Sequence, residues 1–353
     1  MDKIRAAFIG TGRISDLHAI EYFQNENAEI VAICDTDPQI ARRRGRKWGI
    51  AEKYIFQDYK KLLDVEQINL VEILVPHHLH YRVAMDAFKA GKNVSLQKPM
   101  ALNLDDADRL IAEAKASGVV FKVFENFIFY PPVVKAKEWI DAGEIGEPLT
   151  IRIKSNSGYS PNAWEIPTAA AAWRQNSNTC GGGPLVFDDG HHKFSLAWFF
   201  MGMAQQVHAW IDRTEVKPGI VMDSPSVISF KFPNKKYGSL EVVHSPELLV
   251  DTRHYAQDDR VEITGTKGVV WITRGHGDMT AQPPVMLYRD GKTTAFSHMP
   301  VGWEHSFILS ARHFIRALLN DTKPSLTGEE GRNILQFALA AQESAKQGKR
   351  VTI

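Results

Sequence analysis

The segment around position 190 combines residue types whose spacing suits the removal of a proton from an alcohol. Asp188 and His192 are four residues apart, so on a helix they share one face and the carboxylate can orient the imidazole. Histidine titrates near neutral pH and is therefore a suitable base for a hydroxyl proton. Gly190 lies between them. Because glycine costs about 1 kcal/mol in a helix interior, we expect another group to approach this turn closely.

Lys98 is the second candidate for this chemistry. It follows the predicted strand 94–96, so we expect it just beyond the carboxyl end of that strand. Open parallel sheets bind their ligands at that edge. A lysine there can donate to a substrate oxygen or relay a proton, so the predicted catalytic residues are Lys98, Asp188 and His192.

A glycine-rich segment near the start of the chain predicts a dinucleotide site. Gly10-Thr11-Gly12-Arg13-Ile14-Ser15 follows an apolar strand pattern and opens a helical one. In this fingerprint the glycines permit a tight turn and the approach of a pyrophosphate to a helix N-terminus. Asp35 ends the next strand; its carboxylate can bind the adenosine ribose and repels a 2′-phosphate, which favours NAD over NADP. An N-cap for the helix at Pro38 is the alternative role for Asp35.

The order of the predicted elements divides the chain into two domains. Residues 1–126 alternate apolar strands with helices, which predicts an α/β doubly wound Rossmann domain with a parallel sheet that binds NAD. Residues 127–353 contain successive strands that alternate apolar and polar residues, followed by two helices. This pattern predicts an α+β substrate domain with an antiparallel or mixed sheet, one face of which packs on helices.

Composition excludes several classes of function. The formal net charge is +1, with 42 basic and 41 acidic residues, so neither nucleic acid nor an anionic membrane is an expected partner. No segment reaches the ~18–20 apolar residues of a membrane span, and no targeting segment is evident, so we expect a cytoplasmic protein. Cys34 and Cys180 form no CxxC pair, which fits a reducing compartment. The basic run 42–47 is expected to be a solvated helix face.

The sequence resembles the Gfo/Idh/MocA family, the glucose–fructose oxidoreductase and inositol dehydrogenase group, over nearly its whole length. The features that carry the resemblance are the glycine fingerprint, the stretch 71–80 (similar to P-N-H-x-H), the stretch 90–94, Lys98-Pro99, the stretch 143–148, Trp173-Arg174, the D-x-G-x-H of Asp188, Gly190 and His192, and the stretch 263–268. Together these motifs are specific to the family.

The resemblance implies roles for the matched residues. Lys98 would contact the reacting hydroxyl, His192 would be the catalytic base and Asp188 its acidic neighbour. A cis bond would precede Pro99. The second domain would carry a large, open-faced, mostly antiparallel sheet that forms a homodimer or homotetramer interface. The expected cofactor contacts are Gly10, Gly12, Arg13, Ile14, Asp35, Pro76, His77, His80, Gln97, Lys98 and Arg174. The expected substrate contacts are Lys98, Asn126, Trp173, Asp188, His191 and His192.

Three departures from the family pattern affect the site. Gln97 replaces the usual glutamate before Lys98, and the loss of that negative charge favours neutral lysine. One additional residue separates the glycine triplet 181–183 from Asp188, which leaves open whether His191 or His192 is the base; the four-residue spacing favours His192. His77 replaces the usual asparagine at the nicotinamide edge.

These observations lead to one expected function and two alternatives. We expect an NAD-dependent dehydrogenase that oxidises a secondary CH–OH group of a sugar, glycoside or cyclic polyol, for example at C3 of a pyranoside. The alternatives are a reductase of a keto sugar or other carbonyl compound, and an NAD-binding regulatory protein without turnover. The clustered histidines suit zinc or manganese, but the resemblance requires no metal and adjacent histidines point to different helix faces, so we predict none.

Overall fold

The computed structural model describes residues 3–353, and the chain forms two compact units. The first unit extends to Asn126 and includes Phe307–Leu335; the second consists of Phe127–Ser306 and Gln336–Ile353. The sequence predicts a boundary after residue 126, which would place residues 307–335 in the second domain. Phe314 and Ile315 pack into the core of the first unit, so this segment belongs with the sheet that it covers. Residues 1 and 2 of the predicted first domain lie outside the described residues.

The first unit is built on a parallel sheet. Within residues 3–353 this sheet has six strands in the order β3-β2-β1-β4-β5-β6, which is the Rossmann order. The prediction of a doubly wound α/β domain is therefore confirmed. Its strands are β1 (Ile4–Ile9), β2 (Ala28–Cys34), β3 (Ile55–Phe56), β4 (Leu70–Ile73), β5 (Asn93–Gln97) and β6 (Phe121–Phe124). Its first helices are α1 (Ser15–Gln24), α2 (Pro38–Trp48), α3 (Tyr59–Leu63), α4 (His77–Lys89) and α5 (Leu104–Ala116).

The second unit begins with helices and continues into strands. The helices and the first strand are α6 (Pro131–Asp141), β7 (Pro148–Tyr159), α7 (Thr168–Gln175), α8 (Ser177–Cys180) and α9 (His191–Met201), with a π-helical turn over Pro184–Asp189. The following strands are β8 (Gln206–Ile211), β9 (Thr214–Lys217), β10 (Ile220–Met222), β11 (Ser226–Lys231), β12 (Tyr237–Leu249), β13 (Gln257–Gly265), β14 (Gly268–Ile272), β15 (Val285–Arg289) and β16 (Lys292–Phe296). The chain closes with α10 (Glu304–Leu319), α11 (Gly328–Gln347) and β17 (Val351–Thr352).

A large mixed sheet forms the centre of the second unit. Across the described chain it has nine strands in the order β16-β15-β14-β13-β7-β12-β11-β8-β17. Only the β7–β12 pair is parallel among its pairings, which confirms the predicted mostly antiparallel sheet. Its inner face packs on helices: the ring centroids of Phe230 and Phe337 are 4.7 Å apart, and those of Phe194 and Phe337 are 5.1 Å apart. Helix α9 is thereby fixed on the sheet. In residues 3–353, no helix has the length and apolarity to cross a membrane.

Candidate active site

The glycine loop after β1 has the geometry of a phosphate cradle. Gly10 has a φ of +89°, and a Cβ at this position would lie 2.6 Å from the Leu74 carbonyl oxygen, so only glycine fits here. At Gly12 no atom lies within 4 Å of the missing Cβ, which leaves the backbone open to a ligand. No side chain caps the start of α1 at Ile14. The loop at the positive end of α1 is therefore open to an anionic group, and these residues fit the pyrophosphate of NAD.

Asp35 connects the end of β2 to this loop. Its Oδ2 accepts hydrogen bonds from the Thr11 amide (2.8 Å) and the Thr11 hydroxyl (3.1 Å). The N-cap of α2 is Asp37, whose Oδ1 accepts from the amides of Gln39 and Ile40. The alternative role of Asp35 as a helix cap is therefore wrong. Its role toward the adenosine ribose stays a prediction.

Arg44 is a buried support of the glycine loop that the sequence analysis missed. Its side chain donates to the carbonyl oxygens of Thr11 (3.2 Å) and Gly12 (3.1 Å) and pairs with Asp16. The expectation that the basic run is a solvated face is wrong at Arg44, which is 7% exposed. It is three residues after the buried Ala41. The spacing of residues along α2 therefore predicts that Arg44 lies on the buried face of this helix.

Lys98 follows β5 and is 8% exposed. The peptide bond between Lys98 and Pro99 is cis, which confirms that prediction. The Lys98 amide donates to Gln97 Oε1 (2.8 Å), and the Gln97 amide nitrogen lies 3.1 Å from His18 Nε2. Gln97 is therefore a partly buried hydrogen-bonding partner of the Lys98 backbone. Its role as a cofactor contact stays a prediction.

His80 connects the loop after β4 to the loop that carries Lys98. Its Nδ1 lies 2.7 Å from the Pro99 carbonyl oxygen and its Nε2 lies 2.8 Å from that of Val75. Burial lowers the pKa of His80 to about 3, although the two carbonyl groups oppose this shift. The ring is thus engaged with backbone atoms at both nitrogens. Pro76 and His77 lie at the start of α4 in the same loop.

In the second unit, Asp223 binds the turn that follows the glycine triplet and explains the glycine at position 183. Its buried carboxylate accepts hydrogen bonds from the amides of Leu185 (2.7 Å) and Val186 (2.8 Å). A Cβ on Gly183 would overlap this carboxylate, and one on Gly182 would lie 2.5 Å from Phe187 Cβ. Burial raises the pKa of Asp223, an effect that the two amides oppose. Asp223 therefore caps the π-helical turn, a role for which the local sequence carries no signal.

A π-helical turn separates the glycine triplet from Asp188. The Asp188 amide donates to the Gly183 carbonyl (3.1 Å), and the Gly190 amide donates to that of Leu185 (2.7 Å). These i→i+5 hydrogen bonds enclose one more residue than an α-helical turn. A Cβ on Gly190 would overlap the Val186 carbonyl oxygen. The close approach expected at Gly190 is therefore confirmed, and the approaching group is backbone of the preceding turn.

Asp188 is paired with Arg174. The distance from Arg174 Nε to Asp188 Oδ2 is 2.8 Å, and the guanidinium carbon lies 4.3 Å from the centre of the Trp173 ring. The two side chains are 30% and 9% exposed, so this is a partly buried pair rather than a surface ion pair. Burial alone would lower the pKa of Arg174, but the Asp188 carboxylate outweighs it and the pKa is raised.

His192 lies against an aromatic ring at the start of α9. The ring centroids of His192 and Phe127 are 4.5 Å apart at an interplanar angle of 28°. His192 is 7% exposed and His191 is 1% exposed. The orientation of His192 by Asp188 stays a prediction, as does the choice between the two histidines.

A buried charge network lies behind His192. Lys193 is fully buried, with its Nζ 2.7 Å from Asp189 Oδ2 and 3.2 Å from Asp259 Oδ2. Burial alone would lower the pKa of Lys193, but the two carboxylates outweigh it and the pKa is raised. Gln257 donates to the same Asp189 oxygen at 2.8 Å. These ion pairs and this hydrogen bond connect the first turn of α9 to β13.

His276 is a further residue near His192 that the sequence analysis did not single out. Its ring stacks on Trp303 at 4.8 Å and meets the edge of Phe127 at 6.2 Å. The amides of Gly275 and Met279 on either side of His276 donate to the Asp258 carboxylate. Burial lowers the pKa of His276 to about 3, so the ring is neutral.

The predicted site residues fall into two groups. Gly10 to Lys98 and Asn126 belong to the first unit, and Trp173 to His192 belong to the second. Asn126 is 2% exposed at the end of the first unit. Among the described residues no three histidine, cysteine, aspartate or glutamate side chains are grouped to hold a metal ion.

Comparison with known proteins identifies the family. A model described as the oxidoreductase family, NAD-binding Rossmann fold, matches residues 4–125, and its C-terminal alpha/beta domain model matches residues 137–353. The chain is 26% identical over 358 residues to a myo-inositol 2-dehydrogenase of Thermotoga maritima, covering 99% of this chain and 98% of the relative. It is 27% identical over 360 residues to a D-apiose dehydrogenase of Paraburkholderia graminis, covering 99% and 90%.

A solved structure has the same fold. The structure of a levoglucosan dehydrogenase in complex with NADH and levoglucosan superposes with a TM-score of 0.83 at 21% identity, covering 99% of both chains. Together the two family models cover most of residues 4–353. The chain therefore belongs to the Gfo/Idh/MocA oxidoreductase family, whose first domain is an NAD-binding Rossmann fold.

Proposed function

We propose that the protein oxidises a secondary hydroxyl of a sugar, glycoside or cyclic polyol, which can include C3 of a pyranoside ring. The observation that carries the proposal is the location of Lys98. It follows β5 at the carboxyl edge of the NAD-binding sheet, where Gln97 holds its backbone. Ligands of this fold bind at that edge. Relatives named as dehydrogenases of inositol and apiose support the substrate class.

The residues have complementary roles in the proposed reaction. Lys98 donates a hydrogen bond to the reacting hydroxyl oxygen, and His192 removes the hydroxyl proton as the C–H bond breaks and the carbonyl forms. Asp188 stabilises the imidazolium that results, and Arg174 holds Asp188 in place. NAD, when bound, supplies the hydride acceptor.

We assign the base to His192 rather than His191 because it retains more exposure, 7% against 1%. The cofactor contacts proposed are Gly10, Gly12, Arg13, Ile14, Asp35, Pro76, His77, His80, Gln97, Lys98 and Arg174. The substrate contacts proposed are Lys98, Asn126, Trp173, Asp188, His191 and His192.

The proposal is tested by following NADH absorbance with a panel of myo-inositol, scyllo-inositol, D-apiose, levoglucosan and methyl D-glucosides. We expect at least one substrate to be oxidised, and His192→Ala and Lys98→Ala to lower kcat by about 100-fold or more. His298→Ala and Lys89→Ala are matched controls, because both wild-type side chains are exposed. Turnover only from carbonyl compounds with NADH would favour the reductase. Tight NAD binding without turnover of any compound would favour a regulatory protein.

We further propose that the outer face of the large sheet forms a homodimer or homotetramer interface. Trp210 and Tyr237 are 60% and 50% exposed. In the sheet, Trp210 on β8 lies opposite Val227 on β11, and Val227 lies opposite Glu241 on β12. Residues directly opposite one another share a face, so this face combines exposed aromatic side chains with ion pairs. Trp210→Glu should shift the mass measured by light scattering toward the monomer. An unchanged mass in that variant, or a monomeric wild type, would contradict the interface.

The cytoplasmic location stays a prediction. Cys34 and Cys180 are both buried, and a chain with two cysteines and no CxxC pair fits a reducing compartment. Burial raises the pKa of the Cys34 thiol to about 12, so this thiol is unreactive at neutral pH.

A further inference from the structure

The parallel sheet of the first unit carries a buried acidic side chain in a central strand. Glu72 on β4 is 1% exposed, and a carboxylate in such a place is costly unless it is hydrogen-bonded. Its Oε1 accepts from the Tyr22 hydroxyl at 2.7 Å, and its Oε2 lies 3.2 Å from His18 Nδ1. Burial raises the pKa of Tyr22, and the Glu72 charge adds to that effect. Tyr22 is therefore a neutral donor, and Glu72 has two partners from α1.

The hydrogen bonds from Glu72 to Lys98 have a fixed direction. The Lys98 amide can only donate, so Gln97 presents its oxygen to that amide and its NH₂ group to His18. His18 Nε2 must then accept, which leaves the ring proton on Nδ1, where Glu72 accepts it. One tautomer of His18 satisfies every contact.

The packing around His18 prevents the ring from finding other partners. Its ring centroid lies 3.9 Å from that of Phe124 and 5.2 Å from that of Phe307. His18 is fully buried, so no water can replace a lost hydrogen bond. The tautomer of His18 therefore determines which side chain can hydrogen-bond to it from position 97. An amide fits when Nε2 accepts, and a carboxylate fits when Nε2 carries the proton.

We propose that Glu72 and His18 are positioning residues that act through Gln97 on the backbone at Lys98. Glu72 selects the His18 tautomer, this tautomer requires an amide at position 97, and the Gln97 oxygen then holds the Lys98 amide. The chain thus accounts for glutamine where the resemblance leads one to expect glutamate. Only the effect on turnover rests on the proposed function.

Exchanging the amide and the carboxylate across His18 tests this coupling. In Gln97→Glu, a carboxylate oxygen faces the Nε2 lone pair of His18, and the carboxylate of Glu72 holds the ring proton on Nδ1. Only a second ring proton would satisfy both carboxylates, and NMR signals of a doubly protonated His18 in this variant would contradict the coupling. In Glu72→Gln combined with Gln97→Glu, the new amide at position 72 donates to Nδ1 and still accepts from Tyr22. The ring proton moves to Nε2 and binds the new carboxylate, so both hydrogen bonds of His18 are restored in the opposite direction, while those from Tyr22 and the Lys98 amide keep theirs.

Thermal unfolding and ¹⁵N NMR of the histidine side chains measure the outcome without requiring turnover. The measurements are made at pH 8, because burial lowers the pKa of the neighbouring Lys122 to about 7 and the lysine is then largely neutral. We expect each single variant to lower Tm by about 2–8 °C and the double variant to recover to within about 2 °C of wild type. The NMR signals of His18, assigned with His18→Gln, should show the proton on Nδ1 in wild type and on Nε2 in the double variant.

Activity provides a separate readout of positioning. On a substrate that turns over, Gln97→Glu should lower kcat by about 10- to 100-fold through displacement of Lys98, with a smaller change in KM, and the second substitution should recover most of it. Glu21→Gln combined with Gln97→Glu is the matched control, because Glu21 is equally buried but pairs with Arg312; here the effects should only add. Additive losses in the exchanged double variant, or an unchanged His18 tautomer, would overturn the inference. Restored Tm and tautomer without turnover in wild type would instead count against the proposed function alone.

Discussion

A fully buried lysine in the first unit makes a strong prediction about pH and stability. The Lys122 side chain on β6 donates to the Ser310 carbonyl (2.7 Å) and hydroxyl (2.8 Å) oxygens. Phe124 and Phe314 lie within 5.6 Å of its Nζ. Burial lowers the pKa of Lys122 from 10.5 to about 7, although the Glu72 charge opposes the shift.

This pKa difference fixes both the sign and the size of the effect. Between pH 7 and 10.5 the unfolded chain holds a proton on this lysine that the folded protein has lost, so the contribution of Lys122 to stability rises with pH. At about 1.4 kcal/mol for each pH unit, the whole difference is about 5 kcal/mol, of which about 3–4 kcal/mol falls between pH 7 and 10. Replacing Lys122 by Met removes the titrating group and keeps an apolar side chain of similar length.

The free energies of unfolding of wild type and Lys122→Met are compared in urea at pH 7 and pH 10. Other groups, such as the Cys34 thiol in the unfolded chain, also titrate in this range, but they are present in both proteins and cancel in the difference. Between pH 7 and 10 we expect the free energy of unfolding of the variant to fall by about 3–4 kcal/mol relative to that of wild type, because only wild type gains stability from the neutral Lys122. A difference that changes by less than about 1 kcal/mol between the two pH values would refute a neutral Lys122 in the folded protein.

Three further predictions concern the second unit. Asp223→Ala leaves two buried amides without their acceptor, so it should lower the free energy of unfolding by about 2–4 kcal/mol and also lower kcat; an unchanged urea midpoint would exclude the cap. Arg174→Lys keeps the charge but loses the guanidinium geometry, so kcat should fall by about 10-fold with Tm nearly unchanged, whereas wild-type kcat would show that Asp188 needs no such support. Burial raises the pKa of Asp258 from 3.8 to about 6. The stability that this proton binding contributes is fully present only below about pH 4 and is lost as the pH rises through 6. Asp258→Asn should therefore gain about 2–2.5 kcal/mol relative to wild type between pH 4 and 7, and a constant difference in the free energy of unfolding in urea would contradict the shift.

The sequence predicted those parts of the fold that depend on local patterns. Apolar strands separated by helices indicated the parallel sheet, and Gly10 and Gly12 indicated the phosphate loop. The segment 307–335 was assigned to the second domain because an amphipathic helix pattern does not reveal which sheet its apolar face covers. The burial of Arg44 could have been predicted from the same kind of pattern, because its spacing from Ala41 places it on the buried face of α2.

The residues that sequence reasoning missed act across long separations. Asp223 binds the amide of Leu185 from 38 residues away, and Glu72 binds His18 from 54 residues away. Neither pairing produces a periodic pattern or a spaced motif in the chain. The π-helical turn before Asp188 likewise depends on a distant residue, because Asp223 accepts hydrogen bonds from the amides of Leu185 and Val186.

The central claim is that Lys98 and His192 act on one hydroxyl whose carbon gives up its hydride to NAD. It is tested most directly with a turned-over substrate that carries deuterium on the carbinol carbon, followed by mass spectrometry of the reduced nucleotide. We predict that deuterium appears in the nucleotide at a rate that falls by about 100-fold or more in both Lys98→Ala and His192→Ala. Deuterium found in solvent instead, or transferred at the wild-type rate by either variant, would contradict the account.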